Sequence, residues 1–475
     1  MTASATGGPG FRAKLGVARA TGALSRRSGR GGGTTLPGRL LLRLAPDAIS
    51  RLGSGLVDGA TIISATNGKT TTAGMLAAAM RADGRDPVHN RAGSNMSWGV
   101  ATALLEQPGT EGLFEVDEAW LPRMAAELHP GLIVLGNLFR DQLDRYGELE
   151  HLAAEWGAMV ERLAGRSGFV LNADDPLVAD LGRDSELRRR EGVTFFGVED
   201  PSQALPELQH AHDAKHCRRC GHPYAYARAF VGHLGHYSCP NCGADRPAPE
   251  IAAIEVELLG MRGSRSRIVT PGGELELELP LPGLYNVYNA LAALAASLRL
   301  GIDAETAVGA LASVEAAFGR VETIPVEGRP VSILLIKNPA GANEVLRTLR
   351  LEKQGASTAA RLGYASQGLD LWIALNDRIA DGRDVSWVWD ADFELLTGAA
   401  RRVVCAGTRA PEIAVRLKYA GIDPSAIEID ESIERSFDRA VAGADGPLFA
   451  LPTYTALIEL RTLLAERGLA REFWR

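Results

Sequence analysis

The sequence predicts an α/β protein with two parallel sheets, the first of which carries an inserted four-cysteine segment. Short apolar runs alternate with helical stretches along most of the chain, which is the pattern of a parallel sheet wound with helices. A β-branched run, a glycine-containing turn and an alanine-rich stretch follow one another in residues 60–80. Two C-x-x-C pairs interrupt the alternation between Cys217 and Cys242.

The length of the chain indicates more than one domain. With 475 residues and 46% hydrophobic content, it can bury at least two separate cores. We predict a central domain over residues 46–322 and a C-terminal α/β domain over residues 323–475. Pro, Gly, Cys and His residues break the alternation over residues 205–249, which we interpret as an insertion into the central domain. The stretch at 321–330 is predicted to be a linker.

A basic segment forms the N-terminus. Arginine and lysine residues recur over residues 1–45, and no acidic residue precedes Asp47. We interpret this segment as a solvated helix with a frayed tail. The alternative is a weak electrostatic contact with anionic lipid, which basic segments make at membrane surfaces.

Charge and hydropathy exclude several classes of protein. The formal net charge of −7 provides no general affinity for nucleic acid, so no nucleic-acid partner is expected. No apolar run approaches the roughly 20 residues needed to span a bilayer. Arg26 and Arg27 are not followed by the apolar stretch of an export signal. We therefore expect a cytoplasmic protein with at most a peripheral contact at the inner face of the plasma membrane.

The segment SATNGKTTT, which begins at Ser64, is a candidate phosphate-binding loop. Gly68, Lys69 and Thr70 match the end of the generic nucleotide-binding loop, but Ile63 occupies the place of its first glycine. Backbone amides at a helix N-terminus would cradle phosphates, Lys69 would neutralise their charge, and the Thr70 hydroxyl would bind magnesium. The alternative is an ordinary turn that happens to contain Gly-Lys-Thr.

At this loop the sequence resembles the Mur ligase superfamily, whose segment reads G-T-N-G-K-T, with Ala65 here in place of glycine. Further landmarks follow in order: EVDE from Glu115, NLFRDQLDRYG from Asn137, NADDP from Asn172, LPGLYNVYNALAA from Leu281, and GRVE, which contains Arg320. The resemblance implies that ATP is bound by Asn67, Gly68, Lys69, Thr70, Thr71, Asn137, Asn286, Asn289 and Arg320. It implies that Mg²⁺ is bound by Thr70 and Glu115.

The sequence also departs from the superfamily pattern. Gln142 replaces the usual histidine, and Tyr285 replaces the histidine beside Asn286, so no family role is carried over to either residue. No lysine occurs from Tyr146 through Glu161, where many Mur ligases keep a lysine that becomes carbamylated. These departures disfavour a standard amino-acid-adding enzyme.

The two C-x-x-C pairs have the spacing of a zinc ribbon. Each pair is followed by a glycine, Gly221 or Gly243, which lets backbone amides turn toward the thiolates. A site filled by four thiolates has no open coordination position, so the zinc is expected to be structural. His216 and His222 are alternative ligands. The predicted ligands are Cys217, Cys220, Cys239 and Cys242.

A Mur core with a four-cysteine insertion and the text LNDRIADGRDVSWVWDADFELL is similar to the MurT family, from about Leu36 to the C-terminus. MurT proteins are the synthetase subunits of lipid II isoglutaminyl synthase, and their partner is the glutaminase GatD. The resemblance implies that Asp384 completes the partner's Cys and His. Asp381 is the near alternative, and both residues would otherwise belong to a polar turn. Lys337 and Asn338, at the start of the C-terminal domain, are either nucleotide contacts or ordinary loop polarity.

The resemblance implies a Mur-ligase-type central P-loop domain with a parallel sheet and an inserted zinc ribbon, followed by a C-terminal Rossmann-like α/β domain that contacts the glutaminase. The implied reaction is ATP-dependent amidation of the D-glutamate α-carboxylate of the lipid II peptide stem, through an acyl phosphate, to D-isoglutamine. The implied cofactors are ATP, Mg²⁺ and structural Zn²⁺. The implied assembly is a heterodimer, or a larger complex, with a GatD-like glutaminase subunit.

The number of cysteines also indicates a partner subunit, independently of the family resemblance. Once four cysteines bind zinc, only Cys405 remains, and its apolar strand predicts a buried, unreactive thiol. Two other functions stay open. A stand-alone Mur-type amino-acid or folylpolyglutamate ligase would work without a partner, although the missing lysine and the D-G-R-D segment count against it. A nucleotide-binding zinc-ribbon regulator would carry out no catalysis.

Overall fold

The computed structural model describes residues 8–27, 35–90, 94–140, 149–183, 192–210, 212–314, 321–354 and 368–470. Within these ranges the chain forms two large sheets, one hairpin and the helices that cover them. Among the described helices, none combines the length and the apolar character that crossing a membrane requires.

The strands and helices alternate along the chain, as the sequence predicts. The strands are β1 (Gly59–Ser64), β2 (Val88–His89), β3 (Glu111–Glu115), β4 (Leu132–Leu135), β5 (Gly168–Asn172), β6 (Val193–Val198), β7 (Ala225–Val231), β8 (Leu234–Ser238), β9 (Ile251–Leu258), β10 (Ser264–Thr270), β11 (Gly273–Leu279), β12 (Val321–Val326), β13 (Arg329–Leu334), β14 (Leu369–Ala374), β15 (Ala400–Ala406), β16 (Ile427–Ile429) and β17 (Leu448–Pro452). The helices are α1 (Pro9–Arg27), α2 (Leu36–Leu44), α3 (Ala48–Gly53), α4 (Lys69–Ala82), α5 (Ser97–Glu106), α6 (Leu121–Leu128), α7 (Leu149–Leu163), α8 (Pro176–Ala179), α9 (Leu284–Arg299), α10 (Ala304–Ala312), α11 (Pro339–Gln354), α12 (Ala410–Tyr419), α13 (Ile433–Gly443) and α14 (Tyr454–Glu466).

The N-terminal helix α1 is only partly solvated. Its residues Phe11 and Leu15 are buried in one cluster with Leu41 of α2 and Leu105 of α5. The remaining positions of α1 are mostly exposed. The expectation of a solvated helix is therefore wrong for one face, because an apolar stripe at helical spacing packs that face on the central domain.

The first sheet has nine strands in the order β11–β10–β9–β6–β5–β4–β1–β3–β2. Strands β1 to β6 and β9 pair in parallel, and β10 and β11 add an antiparallel edge. Successive residues of a strand point to opposite faces. Accordingly, Ile63 shares a core with α4 and α9, whereas Ile62 shares one with α5, α6 and α7. Strand β1 lies inside this sheet, so the loop that follows it opens at the sheet's carboxyl edge.

The insertion packs closely on the first sheet. Strands β7 and β8 form an antiparallel hairpin. At the turn of the hairpin, Val231 and Leu234 are buried in the core that contains α4 and α9. The cysteine-containing segments lie at the other end, where Ser238 bridges to Asp245. The insertion therefore connects its cysteines to the interior of the central domain.

The second sheet has six strands in the order β12–β13–β17–β14–β15–β16, of which β12 is antiparallel and the others are parallel. The linker predicted at 321–330 is wrong, because these residues form β12 and begin β13. The boundary predicted between residues 322 and 323 also divides β12, which pairs with β13. The second sheet therefore begins at Val321.

Candidate active site

The phosphate loop, residues 65–68, joins the carboxyl end of β1 to the N-terminus of α4. Gly68 has a φ of 90°, in the left-handed region that favours glycine. A Cβ atom at Gly68 would lie 1.9 Å from Oδ1 of Asn289. Glycine is therefore required here, both for the turn and for the close approach of α9. The amides that begin α4 face the loop, as anion binding requires.

Lys69 is buried beside the acidic EVDE segment. Its Nζ donates to Oε2 of Glu118 at 2.7 Å and also to the carbonyl oxygen of Ala65. Burial lowers the pKa of Lys69, but the charges of Glu118 and Asp117 outweigh this effect and raise it. Burial raises the pKa of Glu118, and the ammonium groups of Lys69 and Lys337 lower it below its ordinary value. The pair is therefore charged at neutral pH, with the ammonium held at the start of α4.

Thr70 and Glu115 supply oxygen atoms suited to a divalent cation. Oγ1 of Thr70 donates to Oε1 of Glu115 at 2.9 Å, where β3 runs beside β1. Glu115 is 1% exposed, and its Oε2 has no hydrogen-bond partner among the described residues. Hydroxyl and carboxylate oxygens are ligands that Mg²⁺ prefers, and an unsatisfied buried carboxylate oxygen calls for a cation or water. These residues fit the magnesium ion that the family resemblance implies.

Three asparagines hold the phosphate loop in place. Oδ1 of Asn137 accepts from the Asn67 amide at 2.9 Å, and its Nδ2 donates to the Asn67 carbonyl oxygen at 3.0 Å. The side-chain amides of Asn67 and Asn338 pair reciprocally at 3.2 and 3.0 Å. Nζ of Lys337 donates to the carbonyl oxygen of Thr66 at 3.2 Å. The C-terminal domain thus docks directly on the loop through the two residues singled out at its start.

A cavity extends from the phosphate loop between α9 and α11. Its lining includes six of the predicted nucleotide contacts: Asn67, Gly68, Thr71, Asn137, Asn286 and Asn289. Asn289 accepts from the Thr72 hydroxyl at 3.3 Å and donates to Asn286 at 3.0 Å. Two further predicted contacts, Lys69 and Thr70, are not part of this lining. The last one, Arg320, lies outside the described residues, as does Gln142. The structure therefore brings most of the predicted set to one cavity.

Several cavity residues were missed by the sequence reasoning. Val231 and Leu234, from the hairpin of the insertion, form part of the wall. Glu344 of α11 also lines the cavity, as does Tyr285, to which no family role was assigned. Glu118 was missed as the partner of Lys69, although the second glutamate of the EVDE segment was the available signal. For Val231, Leu234 and Glu344 no local pattern was available.

The four predicted zinc ligands form one cluster. Their Sγ atoms all lie within 4.8 Å of one another, with 3.6 Å between Cys217 and Cys242 and 3.5 Å between Cys220 and Cys239. A Zn–S bond is about 2.3 Å long, so four thiolates around one tetrahedral zinc have this spacing. Neither His216 nor His222 belongs to the cluster. The four cysteines therefore fit a structural zinc ion.

The two cysteine pairs have the same backbone turn. The Gly221 amide donates to the carbonyl oxygen of Cys217 at 2.8 Å, and the Gly243 amide donates to that of Cys239 at 3.0 Å. The φ angles of the two glycines are 71° and 69°. Because only glycine adopts this conformation without strain, each C-x-x-C-G sequence specifies a turn that opens its amides toward a metal.

Asp384 lies on an exposed loop after β14. Its carboxylate accepts from the Ser386 amide at 2.8 Å. Hydrogen bonding to the Ser386 side chain, and then to its amide, lowers the pKa of Asp384 below its ordinary value. Asp381 is half-buried and accepts from the Thr455 amide at 2.8 Å, at the start of α14. Asp381, the alternative acid, therefore caps the N-terminus of α14, whereas Asp384 is exposed to solvent.

The one cysteine outside the four-cysteine cluster is buried. Cys405 lies in β15 and is fully buried in the core of the second sheet. Burial raises the pKa of its thiol to about 12. The prediction of a buried thiol is confirmed, and a buried thiol in apolar surroundings forms little of the nucleophilic thiolate.

Two family models match the chain: Mur ligase middle domain over residues 63–244 and MurT ligase C-terminal over residues 335–457. The chain is 31% identical over 436 residues to the MurT subunit of lipid II isoglutaminyl synthase (glutamine-hydrolyzing) from Staphylococcus aureus strain N315, covering 90% of this chain and 91% of that protein. It is 30% identical over 451 residues to the subunit of the same name from Streptococcus pneumoniae strain R6, covering 93% and 94%.

The fold agrees with solved structures of Mur-type ligases. A pseudomurein peptide ligase type C from Methanothermus fervidus superposes with a TM-score of 0.64 over 86% of this chain and 79% of that chain, at 23% identity. This likeness confirms the predicted Mur-ligase-type fold. With sequence similarity along nine-tenths of two MurT subunits and a match to the MurT C-terminal model, the chain belongs to the MurT family of ligases.

Proposed function

We propose that this chain is the ATP-using synthetase subunit of a lipid II isoglutaminyl synthase. In this role it amidates the α-carboxylate of D-glutamate in the peptide stem of lipid II, and the product is D-isoglutamine. One contrast carries the proposal: the phosphate loop has its own buried cation and carboxylates, whereas none of the five described cysteines is available as a nucleophile once four bind zinc.

Activation of the carboxylate is the first chemical task. A free carboxylate repels nucleophiles and has no leaving group, so its oxygen first takes the γ-phosphoryl group of ATP, which leaves ADP and an acyl phosphate. Lys69 and the amides that begin α4 stabilise the charge on the transferring group. Thr70 and Glu115 would hold Mg²⁺, which when bound neutralises charge on the phosphate oxygens. Ammonia then attacks the carbonyl carbon, and phosphate leaves.

The supply of ammonia requires a second protein. Free ammonia is mostly ammonium at neutral pH and does not attack a carbonyl carbon, so amidating enzymes release it locally from glutamine with a thiolate nucleophile. Cys405 cannot provide that thiolate because it is buried and its pKa is raised. We therefore propose a GatD-like glutaminase as the partner.

The Asp384 loop is the proposed contact with that glutaminase. Asp384 is exposed and would orient the partner's catalytic histidine, as the acid does in other nucleophile triads. Ile379 and Trp389 flank it in the sequence and are 74% and 51% exposed. Aromatic side chains such as that of Trp389 are enriched at protein interfaces. The lipid anchor of the acceptor would place the complex in the cytoplasm, at the inner face of the membrane.

Mass spectrometry of the acceptor tests the synthetase role. A lipid-linked muropeptide is incubated with this chain, ATP, Mg²⁺ and a high concentration of ammonium, without a partner. The expected product carries an amide in place of the glutamate hydroxyl, and omission of ATP abolishes it. A product only when ammonium is replaced by an amino acid would instead identify a stand-alone Mur-type ligase. A soluble nucleotide-linked muropeptide, tested in parallel, shows whether the lipid is required.

A further inference from the structure

Glu344 is a buried acid that the proposed reaction does not use. It lies in the second turn of α11, is 1% exposed and lines the cavity. Neither carboxylate oxygen has a hydrogen-bond partner in the part of the chain that the structure describes. Arg347 approaches Oε1 only to 3.9 Å, and its guanidinium donates to the carbonyl oxygens of Gln203 and Phe230 instead. A buried carboxyl group that lacks a hydrogen-bond partner is costly, and the distant Arg347 offsets this cost only in part, so the position of Glu344 favours a ligand.

The helices on either side place Glu344 away from the phosphates. In α11, Gly341 faces Asn67 of the phosphate loop, and Glu344 lies almost one turn further along the helix. In α9, Asn289 contacts the loop, whereas Leu284, more than one turn earlier, has its amide close enough to Glu344 to lower the pKa of that acid. The cavity therefore runs along both helices, from the phosphate loop at one end to Glu344 at the other.

The surroundings of Glu344 suit a flat, apolar ring. Leu281, Val345 and Tyr285 line the same cavity, together with Val231 and Leu234 of the hairpin. Ligand pockets of this kind bury a ring among apolar side chains and orient it through a few polar groups. Among the described residues that line this cavity, Glu344 is the one with an acidic side chain.

We propose that Glu344 recognises the nucleobase, with its carboxyl group hydrogen-bonded to the 6-amino edge of adenine. This inference rests on the proposed function, since it takes ATP as the nucleotide. A neutral carboxyl group offers one donor and one acceptor, and the adenine edge offers the N6 donor beside the N7 acceptor. The corresponding edge of guanine offers two acceptors, so the match is specific for adenine.

Burial favours the neutral form of the Glu344 carboxyl group, which is the form that this pairing uses. Burial raises the pKa of Glu344 above its ordinary value, against the smaller lowering effects of Arg347 and of the Leu284 amide. A glutamine side chain also offers one donor and one acceptor, as in the bidentate contacts of glutamine with adenine in nucleic-acid complexes. Glu344→Gln should therefore preserve recognition, whereas Glu344→Ala should remove it.

Calorimetric titration of the full chain with imido analogues of nucleoside triphosphates tests the proposal. The wild-type chain should bind the adenine analogue about 10- to 100-fold more tightly than the analogue that lacks the 6-amino group, because one buried polar group then loses its partner. Glu344→Ala should lose this preference, and Glu344→Gln should keep it. The control Glu352→Gln changes a buried acid of the same helix that accepts from the Met261 amide, and it should keep the wild-type preference.

The outcomes separate this inference from the proposed function. A wild-type chain that binds no nucleotide would contradict the proposed function itself. Binding without a preference for the 6-amino group, or a preference that survives in Glu344→Ala, would overturn the role of Glu344 and leave the function standing. If Glu344→Ala instead abolishes discrimination against the 2′-deoxy analogue, the carboxyl group contacts the ribose and the proposal is wrong. Should Glu344→Ala not fold, Glu344→Leu, which keeps most of the side-chain volume without a donor or acceptor, takes its place and should likewise lose the preference.

Discussion

The phosphate loop and the Asp384 loop are two acidic sites with opposite surroundings. At the phosphate loop, Glu118 is 6% exposed and its carboxylate forms a charged pair with Lys69 of the same chain. Asp384 is exposed, and its carboxylate contacts the amide of Ser386, two residues away. The first site has its opposite charge within the chain, whereas the second presents an acid to solvent. The difference supports the proposal that activation is internal to this subunit and that nitrogen supply depends on a partner.

Asp384→Asn tests the exposed side of the comparison and should have the largest effect. With the GatD-like partner, glutamine-driven amidation should fall by about 10⁴-fold, as loss of the orienting acid does in other triads, while ammonia-driven amidation is unchanged. The amidated product is quantified by mass spectrometry with each nitrogen source. Asp381→Asn is the matched control: it weakens the start of α14 and should affect both nitrogen sources alike. Equal loss of glutamine-driven and ammonia-driven amidation in Asp384→Asn would contradict a role for Asp384 in the glutaminase triad.

Lys69→Met tests the buried side. Both glutamine-driven and ammonia-driven amidation should fall by about 10²- to 10³-fold, because a preorganised charge at the transferring phosphoryl group is lost. The variant also leaves Glu118 buried without its cation, which costs about 3 to 5 kcal/mol of unfolding free energy. The double variant Lys69→Met/Glu118→Gln should recover stability, measured by denaturant unfolding, and remain inactive. Recovery of activity in the double variant would show that Lys69 serves only the fold.

Loss of zinc should affect the phosphate-loop side alone. Cys239→Ser should abolish zinc binding, accelerate amide hydrogen exchange in β7 and β8, and weaken ATP-analogue binding about tenfold, because Val231 and Leu234 lose their apolar contacts in the cavity wall. Binding to the glutaminase should be unchanged. Cys405→Ser, at a buried cysteine outside the cluster, is the control and should retain zinc. Unaltered nucleotide binding in zinc-free Cys239→Ser would separate the ribbon from the cavity.

Acidification should produce the smallest change, at the base of the insertion. The His212 ring packs 4.6 Å from that of Tyr226, and burial, together with His233, lowers the pKa of His212 to about 4. Below pH 6.5 His212 binds a proton in the unfolded chain but stays neutral in the folded chain. The free energy of unfolding should therefore fall progressively from pH 6.5 to about 4. His212→Asn should flatten this part of the denaturant-unfolding profile, and exposed His151→Asn should not. Identical slopes for the two variants would contradict a buried, neutral His212.

Sequence patterns predicted the parts of the site that lie within short segments. Gly68 and the residues that begin α4 were predicted because a turn and a helix N-terminus are specified by neighbouring residues. The two C-x-x-C-G turns were predicted for the same reason, and the structure brings their four thiols together. The strands at 321–330 were missed because proline disfavours strands except at sheet edges, and Pro325 pairs with Pro330 at such an edge.

The sequence by itself determined the alternation of strands and helices, the phosphate loop, the metal-binding turns and the presence of a single cysteine outside them. Only the tertiary structure decided which groups meet: Lys69 with Glu118 across 49 positions, and Asn67 with Asn338 across 271. It also decided that Glu344 lies without a hydrogen-bond partner in the cavity, among the residues described. Turns and helix starts depend on the backbone preferences of adjacent residues, whereas burial and pairing depend on how distant segments pack.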